Sequence, residues 1–253
     1  MDVFDGEHEL ALVEVGEKWP QLVKFMALLR LPRLPKICPD SPFEKEIIDD
    51  YVVGHINDRR YALLHGRVLN GPWQGRDKWT PETQGYGKKL PKGKTMNNLV
   101  YSCELEKEAD AALNHTCSYN EPNAPAGKTG IFYSMDIDWD VPELMSAAWS
   151  WMEEIEHFPV SDHAITDKAV TFNDLAIRQY LNLMRPNIKK IGCAEALCKE
   201  NGLNKYRAYC LIDQPPLNIG DIIYEAGRGG CDNGEQCPKG TKCGQFGMCD
   251  VQP

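Results

Sequence analysis

The sequence predicts an α+β fold, with a sheet held between helical layers. Segments with helical apolar spacing and segments rich in β-branched and aromatic residues follow one another along the 253 residues, without a regular strand–helix–strand rhythm. Ten cysteines, four of them in the last 23 residues, add a braced tail too polar to bury a core of its own.

The elements follow in chain order. Residues 1–37 read as an appendage ending in "LPRLPK", where two prolines break any helix. The compact region starts near Cys38. "SPFEKEIIDDYVVGHINDRRYALLHG" has a Ser and Pro at its start, acids early and a Gly to stop, which predicts a helix. Phe43, Ile47, Tyr51, His55 and Arg59 recur every four residues and define one helix face with His55 in the middle of it. Residues 66–95 are rich in Gly, Pro and Lys and are expected to form a long functional or mobile loop. "NNLVYSCELEKEADAALNHT" predicts a second helix with Leu99, Cys103, Leu105 and Ala109 inward, and "TGIFYSMDI" a strand. "VPELMSAAWSWMEEIEHF" predicts a third helix, capped by Asp140 and Pro142, with Leu144, Ala148, Trp151 and Ile155 as its apolar stripe. "TFNDLAIRQYLNLM" predicts a fourth, with Phe172, Leu175, Ala176, Gln179 and Leu183 in register. "IKKIGCAEALC" and "NKYRAYCLI" read as neighbouring strands joined by the hairpin turn in "KENGL". The organisation is an extension at 1–37, a domain at 38–220 and a Cys-rich tail at 221–253.

A net charge of −9 argues against a nucleic-acid partner, because phosphate binding depends on clustered Lys and Arg. No apolar run approaches the roughly 20 residues that span a bilayer. The cysteines are Cys38, Cys103, Cys117, Cys193, Cys198, Cys210, Cys231, Cys237, Cys243 and Cys249, an even number without a tight CxxC pair. That fits disulfides and an extracellular setting better than zinc fingers. The sequon Asn114-His115-Thr116 points the same way and marks Asn114 for glycosylation. The N-terminus does not follow the pattern of a secretory leader: residues 1–17 carry six acids and no Lys or Arg. The expectation is that the leader lies outside this sequence or that these residues are an extension.

"MNNLVYSCELEKEADAALNHTC", the Trp-x-x-Glu of "WMEE", "IGCAEALC", "YRAYC" and "GDIIYEAGRGGC" occur in an order that resembles the CAP superfamily, in particular the nematode activation-associated secreted, or venom-allergen-like, proteins. The resemblance covers roughly residues 38–253. It implies a three-layer α-β-α sandwich with a disulfide-braced tail, and pairing within 193–210 and within the tail.

It also implies a central cleft of two histidines and two glutamates that can hold zinc or another divalent ion. His55 matches the first His, with "HINDR" keeping the His-to-Arg spacing of the family's His-Asn-x-x-Arg and Ile56 in place of the Asn. Glu154, three residues after Trp151, matches one Glu. Thr129 and Thr171 stand where the other Glu and His belong, so two of four survive. Zinc needs at least three protein ligands, and His157 or His163 would have to supply the rest. The alternative is a half-buried His55 hydrogen-bonded to Glu154, with the His pKa raised and that of the Glu lowered. Glu153 and Glu156 read as a solvated face.

No Gly-x-Ser-x-Gly elbow or phosphate loop appears, and Ser161 and Thr171 are nucleophiles only in the sense that any hydroxyl is. The expected role is therefore non-enzymatic. The leading reading is a secreted protein that binds another protein through the Trp- and Lys-bearing 66–95 loop, as parasite-secreted relatives modulate host leukocytes or platelets. The second is a sterol or fatty-acid carrier whose groove is lined by Trp73, Trp79 and Trp139. The third is a metal-dependent hydrolase.

Overall fold

The computed structural model of the protein describes residues 35–252. The predicted appendage at 1–37 lies outside the described residues except for its last three positions.

Beyond Cys38 the chain enters a π-helical stretch, Ile47–Gly54, that continues as helix α1, His55–Leu64. Its period is the predicted one, but its phase is one residue later. Ile48, Val52, Ile56 and Arg60 are buried, whereas Ile47, His55 and Arg59 are half-buried and Tyr51 is exposed. The helix ends where predicted: Gly66 N–H donates to Leu63 O and Arg67 N–H to Ala62 O, which satisfies two terminal carbonyls.

The second predicted helix begins later than its apolar spacing suggested. Val100–Tyr101 forms strand β1, and helix α2 runs over Cys103–Leu113, with Ser102 Oγ accepting from Leu105 N–H as its N-cap. Leu99 is buried, but on the extended approach to the helix. Strand β2 covers Thr129–Ile137, as read from the sequence.

Helix α3, Leu144–His157, buries the whole predicted stripe and adds Ala147 and Met152. Burying side chains such as Leu144, Met152 and Ile155 contributes roughly 1.5–3 kcal/mol each. Asp140 does not cap this helix: its Oδ1 accepts from Val141 N–H, and Glu143 takes the N-cap position without a side-chain bond.

The fourth helix is much shorter than predicted. Ala169–Thr171 is strand β3, and helix α4 covers only Arg178–Leu183. Leu175, expected inward, is 69% exposed.

Strands β4, Lys190–Glu200, and β5, Leu203–Ile212, form the predicted hairpin across Asn201-Gly202, both of positive φ. Strands β6, Ile222–Glu225, β7, Thr241–Cys243, and β8, Cys249–Val251, complete the chain. The main sheet has the order β1-β4-β5-β2; β3 pairs with β6, and β7 with β8.

Alternation along the central hairpin sorts the residues into two cores. Ile191, Cys193, Tyr206, Ala208, Cys210 and Ile212 join the large core with α1, α3 and α4. Ala194, Ala196, Tyr209 and Leu211 face Leu105, Ala109 and Leu113 of α2 on the other side. This is the three-layer sandwich. At Gly192 a Cβ would lie 2.2 Å from Glu106 N, so β4 presses directly on the first turn of α2.

All ten cysteines are paired, as Cys38–Cys103, Cys117–Cys198, Cys193–Cys210, Cys231–Cys243 and Cys237–Cys249. The expected pairing within 193–210 and within the tail is what the structure shows, with one refinement. Cys198 lies inside the 193–210 span but bonds outside it, to Cys117 in the loop after α2. The reason is register: Cys193 and Cys210 face each other across β4 and β5, whereas the position opposite Cys198 is Lys205. The Cys117–Cys198 bond thus ties the exit of α2 to the far end of β4.

Candidate functional site

Two elements position the residues singled out from the sequence, α1 and α3. His55 lies flat against Trp149 of α3, with ring centroids 4.7 Å apart and planes 5° from parallel. Its buried Nε2 has no hydrogen-bond partner among the described residues. Burial first, and then Arg59, hold the His55 pKa below the usual histidine value. Next to this stack Arg59 pairs with Glu156 at 3.1 Å.

Glu154 faces elsewhere. It lies five residues from Trp149, about 140° around α3, and its Oε2 accepts from Tyr180 N–H at 2.9 Å, in the first turn of α4. Burial pushes its carboxyl up to about 7, against the opposing pull of the Tyr180 and Gln179 N–H groups and of Arg178. The predicted His55–Glu154 hydrogen bond is therefore absent among the described residues, and both pKa directions are the reverse of those expected. The cause is position: the two groups flank opposite edges of the buried stripe of α3, and each meets burial before it meets the other.

Half-buried Asn57 and buried Arg60 are the residues of α1 that bond to the backbone of other segments. Asn57 Nδ2 donates to Leu99 O and its Oδ1 accepts from Leu99 N–H, which clamps α1 to the approach to β1. Arg60, fully buried, donates to the carbonyls of Asn97, Leu183 and Arg185. Asn57 and Arg60 also have the Asn-x-x-Arg spacing, one residue on from the His55-to-Arg59 match.

The remaining candidates stay apart. Thr129 is buried, with Oγ1 donating to Gln214 O at 2.8 Å. Thr171, in β3, donates to Ala164 O at 3.4 Å. His163 Nε2 lies 3.1 Å from Ser161 Oγ, which also accepts from Asn173 Nδ2. His157 is exposed at the end of α3. Asn114, the sequon asparagine, is exposed in the left-handed conformation at the C-cap of α2.

This donor set does not fit a divalent metal. Imidazole and carboxylate face different surroundings, both threonine hydroxyls are engaged with backbone, and a cation, Arg178, stands beside Glu154. Among the described residues, Cys231, Cys237 and Cys249 alone form a group of three or more metal-ligand types within ligating distance, and their sulfurs are in disulfides.

The polar group around Glu154 includes residues that the sequence reading missed. Arg178 pairs with Glu121, and both act electrostatically on Tyr209, whose phenol burial pushes up to about 12. No spacing rule joins a loop acid to a helix 57 residues away.

A consequence follows for stability. The Glu154 pKa is above its ordinary 4.5, so the native state keeps a proton that the unfolded chain releases. Stability contributed by the neutral carboxyl is full below about 4.5 and is lost as pH rises through about 7. Glu154→Gln is expected to be more stable than wild type by about 1–3 kcal/mol at pH 8 and similar to it at pH 5. Urea unfolding at both pH values checks this; equal offsets at both would contradict it.

Comparison with known proteins agrees with this architecture. The model of the cysteine-rich secretory protein family, CAP, matches residues 53–212. No curated protein matches at a significant level. The solved structure of Na-ASP-1 superposes with a TM-score of 0.61 at 20% identity, over 87% of this chain and 51% of that one. The chain thus spans about half the length of Na-ASP-1. BmVAL-1 superposes with 0.58 at 20% identity over 85% and 99% of the two chains, and a hookworm platelet inhibitor with 0.53 at 18% over 86% and 98%. NaASP2, whose structure was solved with Zn2+, gives 0.57 at 20% over 84% and 99%.

Proposed function

The chain belongs to the cysteine-rich secretory protein family, CAP, and from that premise we propose that it is a secreted, non-enzymatic protein that binds another protein through its 66–95 loop. The observation that carries this reading is the build of the loop. Its neck is a short ladder in which Asn70 N–H donates to Lys88 O and Leu90 N–H to Val68 O. Asn70 also exchanges two side-chain bonds with the Val160 backbone, at 2.7 and 2.8 Å, and fixes the neck to the body. Beyond that neck Trp73 and Trp79 stand 53% and 56% exposed. The loop carries seven Lys or Arg against two acids on a chain of net charge −9. An anchored loop bearing aromatic and basic side chains matches the composition of binding hot spots.

Five disulfides suit work outside the cell. The donor set fits neither a bound metal nor an activated nucleophile: among the described residues, Ser161 and Thr171 have no base poised by a third group. Lipid carriage is less well supported. The cleft beneath the loop, about 530 Å³, is walled by Asn70, Gln74, Lys78, Lys88 and Asp162 rather than by Trp73, Trp79 or Trp139.

The fold is shared with the hookworm platelet inhibitor, so platelets, and leukocytes beside them, are the first surfaces to test. Labelled protein is expected to bind one of them saturably. The Trp73→Ala/Trp79→Ala double variant is expected to bind at least tenfold more weakly, while His55→Ala and Glu154→Gln bind as wild type. Loss of binding in the two cleft variants would overturn the assignment to the loop. A sterol or fatty acid extracted from purified protein would favour the carrier reading.

A further inference from the structure

At the edge of β4 beyond its short pairing with β1, the segment Asp40–Phe43, helix α2 and strand β4 border a cleft of about 680 Å³, a size suited to a small organic ligand. Its floor is apolar: Pro42, Phe43, Ala194 and Leu197, the last 50% exposed. Its wall holds Glu106, only 7% exposed. Tyr101 Oη donates to Glu106 Oε2 at 2.7 Å and Ser41 Oγ to the same oxygen at 2.9 Å. No hydrogen bond reaches Oε1 among the described residues.

This arrangement is more than a buried charge made tolerable. Two hydroxyls converge on one oxygen and leave the other uncommitted on a carboxylate that is nine-tenths buried and lines the cleft. Glu106 lies in the first turn of α2, where the helix dipole favours an anion. The close approach of β4 at Gly192 fixes its backbone. With Glu106, the lining carries the acids Asp40, Asp110 and Glu195 against two lysines, Lys36 and Lys107, and His115, which lies 3.4 Å from Asp110. The cleft is therefore net acidic. These acids are not grouped closely enough to share a metal ion, since among the described residues only three cysteines meet that condition.

We propose that this cleft is a binding site for an organic cation, a primary amine on an apolar or aromatic body. The ammonium meets Glu106 Oε1, and the body lies on Phe43 and Leu197. One fixed carboxylate above an apolar floor selects this class over anions, which it repels, and over metal ions, which need several donors. The site is separate from the 66–95 loop, so it stands or falls independently of the partner proposed there.

Calorimetry on the full, oxidised chain tests this with tryptamine as the probe, beside N-acetyltryptamine and indole-3-propionate, which carry the same ring without the cation. Saturable one-to-one binding is expected for tryptamine alone. Glu106→Gln, which keeps an oxygen for Tyr101 and Ser41, is expected to weaken binding at least tenfold. Leu197→Ser, at the half-exposed part of the floor, is expected to weaken it several-fold. Absence of saturable tryptamine binding would overturn the proposal, as would equal binding of N-acetyltryptamine or unchanged affinity in Glu106→Gln. If Glu106→Gln proves misfolded, unchanged affinity in Leu197→Ser would overturn it.

Discussion

Replacing Arg60 by Ala should cost about 3–5 kcal/mol, the range observed when one partner of a buried charged network is removed. The guanidinium is fully buried and held by three backbone carbonyls, those of Asn97, Leu183 and Arg185. Leu183 ends α4 and Arg185 lies two residues beyond it, so the cation also meets the negative end of the helix. Burial lowers the Arg60 pKa to about 9, so the group is still charged at neutral pH. Arg60→Met separates charge from volume. Where the partners of a buried ion are side chains, an apolar replacement of the whole group is often harmless, but these partners are backbone and remain. Each orphaned carbonyl costs about 1–3 kcal/mol, so Arg60→Met should also be clearly destabilised. Urea unfolding of both variants checks this, and a Met variant as stable as wild type would show that the carbonyls find water instead.

The second large effect is expected from the Cys38–Cys103 disulfide, which spans 65 residues. By the chain-entropy model such a crosslink contributes about 4 kcal/mol. Cys38→Ser/Cys103→Ser should therefore lower the melting temperature by about 10 °C for a domain of this size. The same variant frees the segment bearing Ser41 and Phe43, so tryptamine affinity should fall with it. Removing Cys231 and Cys243, which lie 12 apart, should open the tail while leaving the main transition nearly unchanged. Calorimetric melting of the two double variants distinguishes a brace of the body from a local one.

Legibility in the sequence followed the range of the forces involved. Strand β2, the β4–β5 hairpin and the stripe of α3 were readable because alternation, an Asn-Gly turn and helical spacing are local signals. The start of the fourth predicted helix was misread because Thr171 is held in a strand by pairing with Ile222, more than fifty residues away. In the first helix, apolar residues occupy two adjacent phases, Phe43-Ile47-Tyr51 and Ile48-Val52-Ile56, so spacing gave the period without the phase. The same shift of one residue separates half-buried His55 and Arg59 from buried Ile56 and Arg60. Glu121 and Arg178 were illegible for a different reason: a loop acid has no periodicity to reveal where it points. The same holds for Cys117, a loop residue whose partner, Cys198, lies 81 positions away.

The two tail disulfides are interleaved, Cys231 with Cys243 and Cys237 with Cys249. A protease that cuts once anywhere between Cys231 and Cys249 leaves at least one crosslink across the cut, so no fragment is released. Nicked protein would match intact protein in gel mobility until reduced, differing only by the mass of one water. Exposure to digestive or inflammatory fluids could therefore nick the tail without detaching it from the body.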